Sequence, residues 1–533
     1  MGRPCRNCIA WRSRAQFFSI PRRRPSSRQA GKVQNLRVAA RTLNGTIIRR
    51  GELFSLWRNL GRTTRGRGFV AGRALREGCV IPNTGGGLCQ LSNALYDVTL
   101  RSGCEIVERH AHTRALPGST TAPGRDATIF WNYVDFRFRP PVDCQLRVAL
   151  SRGELTVAVD GLDGTALAPP VQAILAPCET RLEVAESCES CGVTQCFRNP
   201  AATSLARRGI TAFLLDKFEP EFDRWITANQ DARDILFVPL KSDRRPVYAW
   251  TRNQFADVHQ ALFTTLRRSW RSRSLAAQGA ERQRALLDFD AALAFDFSKR
   301  IPHLADHLVI SQNLLPHLWR NGDLGGRTFD VLMTRMPMAE LEKILDAAAK
   351  KFPQSRTLAD FRAPAKIREA EDEALAAARY WITPHSAIAR MAGDRARKLD
   401  WCQASVPAAR PRSQAVIFPA STLARKGCYE IRELARRCRL RLKLIGPIIE
   451  APDFWRGIDA QPAAADWLAQ AGVVVLPAWV EHWPRRLLQA AAAGVPVVAS
   501  TSCGLEGVAN VTEVAPGDPD ALFAAVERAL LHS

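Results

Sequence analysis

Residues 473–500 read VVVLPAWVEHWPRRLLQAAAAGVPVVAS. An aliphatic run (473–476) comes first, then a Trp-rich loop carrying Glu481. An amphipathic stretch over 485–493 follows, with Leu487, Leu488 and Ala491 on one stripe, and Gly494 leads into a second apolar run over 495–499. Short apolar runs on either side of a helical pattern make a βαβ unit, whose strands pair in parallel and are buried on both faces. The same alternation extends outward from it. Strand patterns fall at 415–418 and 442–445, and helical patterns at 429–437, 463–471 and 518–531. This predicts a Rossmann-like domain over 412–533, with ligands at the carboxyl ends of its strands.

Upstream, residues 205–405 mix strand-like runs (235–238, 307–310) with long helical patterns (338–351, 366–380), and Pro407, Pro411 and Ser413 mark a linker. A chain of 533 residues exceeds what one hydrophobic core supports, so several domains are expected. Expected boundaries are a basic arm at 1–32, a compact α+β module at 33–165, a Cys-rich linker at 166–204 and two α/β domains at 205–405 and 412–533. The fold class is multi-domain α/β: a small α+β module followed by two Rossmann-like domains.

Charge is concentrated at one end. Residues 1–76 hold 18 Arg and Lys32 against the single acid Glu52, which places +18 of the net +23 there. Such a surface draws anions: phosphorylated precursors or an anionic membrane surface. Nucleic acid is set aside, because neither helix-turn-helix nor zinc-finger spacing occurs and aromatic residues do not interleave with the basic ones. The stub Cys8-Ile9-Ala10-Trp11 is too short for an export signal, and no run of 18 apolar residues is present. The expected location is the cytoplasm, including its membrane face.

Two cysteine motifs carry candidate chemistry. In Gly85-Gly86-Gly87-Leu88-Cys89-Gln90-Leu91-Ser92 the glycines permit a tight turn, and Leu88, Leu91, Leu95 and Val98 then recur at helical spacing. Cys89 therefore sits in a first helical turn, where the dipole favours thiolate. Glu108, His110 and His112 alternate as on one strand face, and Asp126 follows a Pro123-Gly124 turn. Cys89 with His110 or His112 as base and Asp126 as orienter are the parts of a thiol nucleophile. Cys89, His110 and His112 also suit zinc, and a structural glycine loop with a buried thiol is the third reading. The second motif, Cys178, Cys188, Cys191 and Cys196, puts four soft ligands within 19 residues, suited to zinc or an iron–sulfur cluster.

Asn59–Thr64, Gly66–Phe69, Gly85–Ser92, Glu108–His112 and Gly124–Thr128, in that order, resemble the VanW family over about 33–160. That resemblance implies a cell-envelope setting and no defined reaction. Residues 410–530 resemble the donor half of GT-B retaining glycosyltransferases, and 205–405 the acceptor half. This second resemblance implies a nucleotide-sugar donor, with Glu481 on the sugar and Lys426-Gly427 on the diphosphate. It also marks two departures: Gln489 stands where the family has a second, ribose-binding acid, and Ser421 where it has a phosphate-binding cation. The resemblances together imply a glycosyltransferase of envelope glycan metabolism. The alternatives are a cysteine-dependent acyl-transfer or hydrolytic enzyme on a silent transferase scaffold, or a metal-dependent binding protein.

Overall fold

The computed structural model describes residues 11–16, 27–76, 79–112, 114–115, 124–151, 154–162, 183–184, 209–242, 244–273, 275, 279–360, 362–403 and 415–531. Two compact units result: residues up to 211 with 301–307 and 319–328, and the remainder.

The N-terminal unit is α+β. Its four-stranded antiparallel sheet runs Trp11–Gln16, Glu154–Gly161, Cys144–Leu150, Ile47–Ile48, so part of the expected basic arm is a paired strand. Alternation along Cys144–Leu150 turns Cys144, Leu146 and Val148 inward. Helix Cys89–Arg101 buries Leu91, Leu95 and Val98 in the same core as Leu155, Val157 and Val159. Helix Ser27–Leu43 supplies Leu36, Ala39 and Leu43.

The second unit holds two parallel sheets. Seven strands lie in the order Asp257–Gln260, Ile235–Val238, Ile210–Leu214, Ala305–Ser311, Thr328–Leu332, Trp381–Thr383, Ala396–Lys398. Six more run Ala460–Pro462, Leu442–Leu444, Val416–Phe418, Val473–Leu476, Val497–Ser500, Val511–Val514. Numbered along the chain, both orders begin 3-2-1-4-5-6, the doubly wound Rossmann order, which reverses between strands 1 and 4. Two Rossmann-like domains in series are the GT-B plan.

Helix Met338–Lys351 and strand Val473–Leu476 fall where the pattern puts them. The helix expected at 463–471 is only a 3-10 turn, Trp467–Gln470, because Ala469 N–H closes an i→i+3 bond on the Asp466 carbonyl. Glu108, His110 and His112 do not share a strand. Strand Glu105–Glu108 breaks register between Ile106 and Glu108 and ends there, leaving His110 in an isolated bridge with Thr128. None of the helices among the described residues is long and apolar enough to cross a membrane.

Candidate functional sites

In the six-stranded sheet the order reverses between Val416–Phe418 and Val473–Leu476. Diverging connections open a crevice at such a point. A cavity of about 270 Å³ lies there, lined by Ser421 and Lys426 from the loop after the first strand and by Glu481, Trp483, Arg485 and Arg486 after the second. Lys426 ends the 3-10 turn Ala424–Lys426, and Gly427 closes it at φ +82°. A Cβ at Gly427 would lie 2.3 Å from the Pro477 carbonyl oxygen, so only glycine lets the two loops approach. The N–H groups of Trp479 and Val480 bond the Arg425 carbonyl (3.0 and 3.1 Å), which brings Glu481 against Lys426.

There, Lys426 Nζ donates to Glu481 Oε2 at 2.9 Å and to the Val480 carbonyl at 3.0 Å, while Trp483 N–H donates to Glu481 Oε1 at 3.0 Å. Burial raises the Glu481 pKa, but the Lys426 charge and hydrogen bond prevail and hold it below its ordinary value. His385 Nε2 lies 3.0 Å from the Glu481 carbonyl and 3.2 Å from that of Ser502. His385 Nδ1 is buried without a partner, against Gly504, and burial lowers the His385 pKa. Ser421, Lys426 and Glu481 thus share one cavity. Gln489 is on helix Arg485–Ala492 but does not line it.

Sequence reasoning passed over Arg485 and Arg486. Two cations in a helical first turn oppose the macrodipole, which marks them as having other partners. Arg485 forks onto Glu221 (2.6 and 2.7 Å) and Glu219 (3.0 Å); Arg486 Nη1 donates to the Pro419 carbonyl at 2.6 Å on the cavity wall. Asp216 was also missed. At the reversal point of the seven-stranded sheet its N–H bonds Ser311 Oγ at 3.0 Å, and its carboxylate accepts from Asn313 at 3.1 Å and Arg268 at 3.4 Å.

In the N-terminal unit, Asn35 pins the glycine loop. Its Nδ2 donates to the carbonyls of Gly86 (2.9 Å) and Val70 (3.0 Å), and its Oδ1 accepts from Val70 N–H (2.9 Å). Gly85 and Gly87 take φ of +84° and +99°, delivering Cys89 as the first residue of its helix. Asn93 accepts from Ala127 N–H at 2.7 Å and tethers the 126–128 segment to that helix.

His112 Nδ1 then lies 2.9 Å from Asp126 Oδ2, and Arg109 Nη2 bonds Asp126 Oδ1 at 3.0 Å. The Cys89 thiol is half-buried, and His112, Ile129 and Thr128 are the neighbours that favour its thiolate. Burial raises the Cys89 pKa, yet the bond to His112 and its charge outweigh this and the net shift is downward. Burial lowers the His112 pKa, but Asp126 and Cys89 push it up to about 9. Burial raises that of Asp126, but His112 and Arg109 bring it to about 2. His110 turns away, its Nε2 lying 3.4 Å from Glu108, so Cys89, His110 and His112 do not form the zinc set. Among the described residues no group of three or more His, Cys, Asp or Glu side chains is placed to hold a metal. Cys178, Cys188, Cys191 and Cys196 lie outside the described residues.

Residues 31–160 match the family described as VanW like protein, and residues 387–532 match glycosyl transferases group 1. The chain therefore carries a VanW-like module and a group 1 glycosyltransferase domain. It is 36% identical over 123 residues to the vancomycin B-type resistance protein VanW of Enterococcus faecalis, covering 22% of this chain and 45% of that protein. It is 33% identical over 114 residues to protein YoaR of Bacillus subtilis, covering 21% and 37%. The chain thus spans less than half the length of each of these relatives. Among solved structures, sucrose-phosphate synthase of Thermosynechococcus elongatus is 13% identical with a TM-score of 0.40, covering 61% of this chain and 90% of that one. Anabaena HepE in complex with UDP and glucose is 14% identical with a TM-score of 0.36, covering 60% and 89%.

Proposed function

We propose that the two Rossmann-like domains are a glycosyltransferase that takes a nucleoside diphosphate sugar in the cavity at Lys426 and Glu481. The observation that carries this reading is a cation and an ionised carboxylate 2.9 Å apart, at the strand-order reversal of the second sheet. A diphosphate entering there meets Lys426 Nζ and the guanidinium of Arg486, which supplies the cation missing at Ser421. Its negative charge competes with Glu481 for Lys426, freeing a carboxylate that accepts hydrogen bonds from sugar hydroxyls. The Trp483 N–H holds that carboxylate in place meanwhile. Such preorganised charge stabilises the departing diphosphate as the glycosidic bond breaks. Gln489, off the cavity wall, leaves ribose recognition to other groups.

The acceptor we propose is an envelope glycan precursor at the cytoplasmic membrane face. The relative named for vancomycin resistance supports the first part. Helix Leu262–Arg273 supports the second: Phe263, Leu266 and Trp270 are exposed along one face, with Arg267 and Arg273 exposed beside them. Apolar residues flanked by cations suit an anionic interface.

Calorimetry with a panel of UDP-, GDP- and ADP-sugars tests the donor site. Lys426→Ala should weaken binding by roughly 10- to 100-fold, since a charge-assisted hydrogen bond contributes about 1.5–3 kcal/mol. Absence of binding by the unaltered protein at millimolar donor overturns the proposal.

A further inference from the structure

We infer that Cys89, His112 and Asp126 form a second catalytic centre, a thiol site that accepts the acyl group of a saccharide-borne ester or amide as a thioester. It does not rest on the donor cleft.

Seven of the cysteines among the described residues divide sharply. Burial raises the thiol pKa at Cys104, Cys144, Cys402, Cys428, Cys438 and Cys503, and Cys89 alone is lowered. Its difference lies in geometry. Cys89 begins a helix, and its thiol interacts with the His112 imidazole, whose Nδ1 is engaged by Asp126 at 2.9 Å; the proposal gives the ring's other nitrogen, Nε2, to the sulfur. Asp126 also accepts the His112 backbone N–H, fixing the ring's distance from the carboxylate. Arg109 is a positioning residue. It holds the other Asp126 oxygen and the Asp126 carbonyl (2.8 Å) and touches no reacting atom.

The substrate class follows from the next stretch of chain. Thr128 and Ile129 neighbour the thiol and favour its thiolate; beyond them Phe130, Trp131 and Tyr133 are 54%, 36% and 81% exposed at a turn closed by Phe130 and Val134. Trp131 and Trp57 meet edge to face at 5.4 Å, and both line a cavity of about 290 Å³ with Glu108, Asp135 and Arg137. Exposed aromatic faces beside carboxylates match the C–H face and hydroxyls of a sugar ring.

The step balances without any co-reactant but water. The Cys89 thiolate attacks the acyl carbon and a C–S bond forms. His112 Nε2–H gives its proton to the leaving oxygen or nitrogen as the C–O or C–N bond breaks. Water, or a hydroxyl acceptor, then attacks the thioester and yields a proton to His112; the C–S bond breaks and thiolate and imidazolium are restored.

Iodoacetamide labelling of the full chain near pH 7 with peptide mapping, together with p-nitrophenyl acetate turnover, tests this. Cys89 should label roughly tenfold or more faster than the half-buried Cys402 and Cys438, as expected for a thiol with lowered pKa. His112→Ala should erase that difference and move the labelling profile to higher pH. An acetyl adduct should map to Cys89 and persist in Cys402→Ala. Trp131→Ala should raise KM for a methyl O-acetylglucosaminide while kcat holds. Equal labelling of Cys89 and Cys402, or fast labelling in a folded His112→Ala, overturns the thiol site. Acetate release from p-nitrophenyl acetate but from no acetylated glycoside overturns the substrate class.

Discussion

Asn35→Ala reports directly on how the N-terminal module is held. Asn35 is fully buried and makes three hydrogen bonds, one to each carbonyl of Gly86 and Val70 and one from Val70 N–H. Alanine removes all three; the Val70 carbonyl keeps the Gly85 N–H at 3.1 Å, while the Gly86 carbonyl and the Val70 N–H lose their Asn35 partner. At about 1 kcal/mol per bond the loss is roughly 3 kcal/mol, and more where a stranded group stays dry. No compensating collapse is open, because a Cβ on neighbouring Gly72 would already lie 2.2 Å from the Gly86 oxygen. For a module of this size roughly 3 kcal/mol lowers its calorimetric transition by about 10 °C. Hydrogen exchange should accelerate around residues 69–72 and 85–90, and Cys89 labelling should slow as the loop shifts. A transition within about 1 °C of the unaltered protein, with Cys89 still fast, would refute the assignment of Asn35 as the pin of this loop.

Arg485→Ala strands the fully buried Glu221 carboxylate and should lower the second unit's stability by about 3 kcal/mol, with Arg485→Ala/Glu221→Gln recovering most of it in urea denaturation. Gly427→Ala forces a Cβ onto the Pro477 carbonyl at positive φ; donor affinity measured by calorimetry should fall with Lys426 still present. The Asp126 pKa of about 2 lies below its ordinary 3.8, so the stabilisation is complete above pH 3.8 and lost as pH falls through 2. The amount is roughly 2 kcal/mol, and Asp126→Asn should flatten that acid limb in pH-dependent denaturation. His112 has the opposite sign, contributing fully below pH 6.5 and fading as pH rises through 9, so His112→Phe should abolish an alkaline decline in the same experiment.

The second Rossmann-like domain was legible because its central strands are apolar on both faces, as in Val473–Leu476. Its outer strands, Ala460–Pro462 and Val511–Val514, were not. They lie at the sheet edges, half exposed, and carry no apolar run, so only backbone pairing defines them. Lys426 and Glu481 stood out as a Lys-Gly pair and a lone loop acid. Arg485 did not, because Glu221 is 264 residues away in sequence. At the thiol site the residue types were readable and their arrangement was not. Period-2 spacing put His110 and His112 on one face, but the strand ends at Glu108 and Asp126 draws the His112 ring toward Cys89 while His110 faces Glu108.

The most direct test of the donor site is an experimental structure of the chain with a bound nucleoside diphosphate. The diphosphate should lie within hydrogen-bonding distance of Lys426 Nζ and the Arg486 guanidinium, with the Lys426–Glu481 contact lengthened and Glu481 facing the site of the sugar. A nucleotide seated elsewhere, with Lys426 and Glu481 still paired at 2.9 Å, would contradict the account.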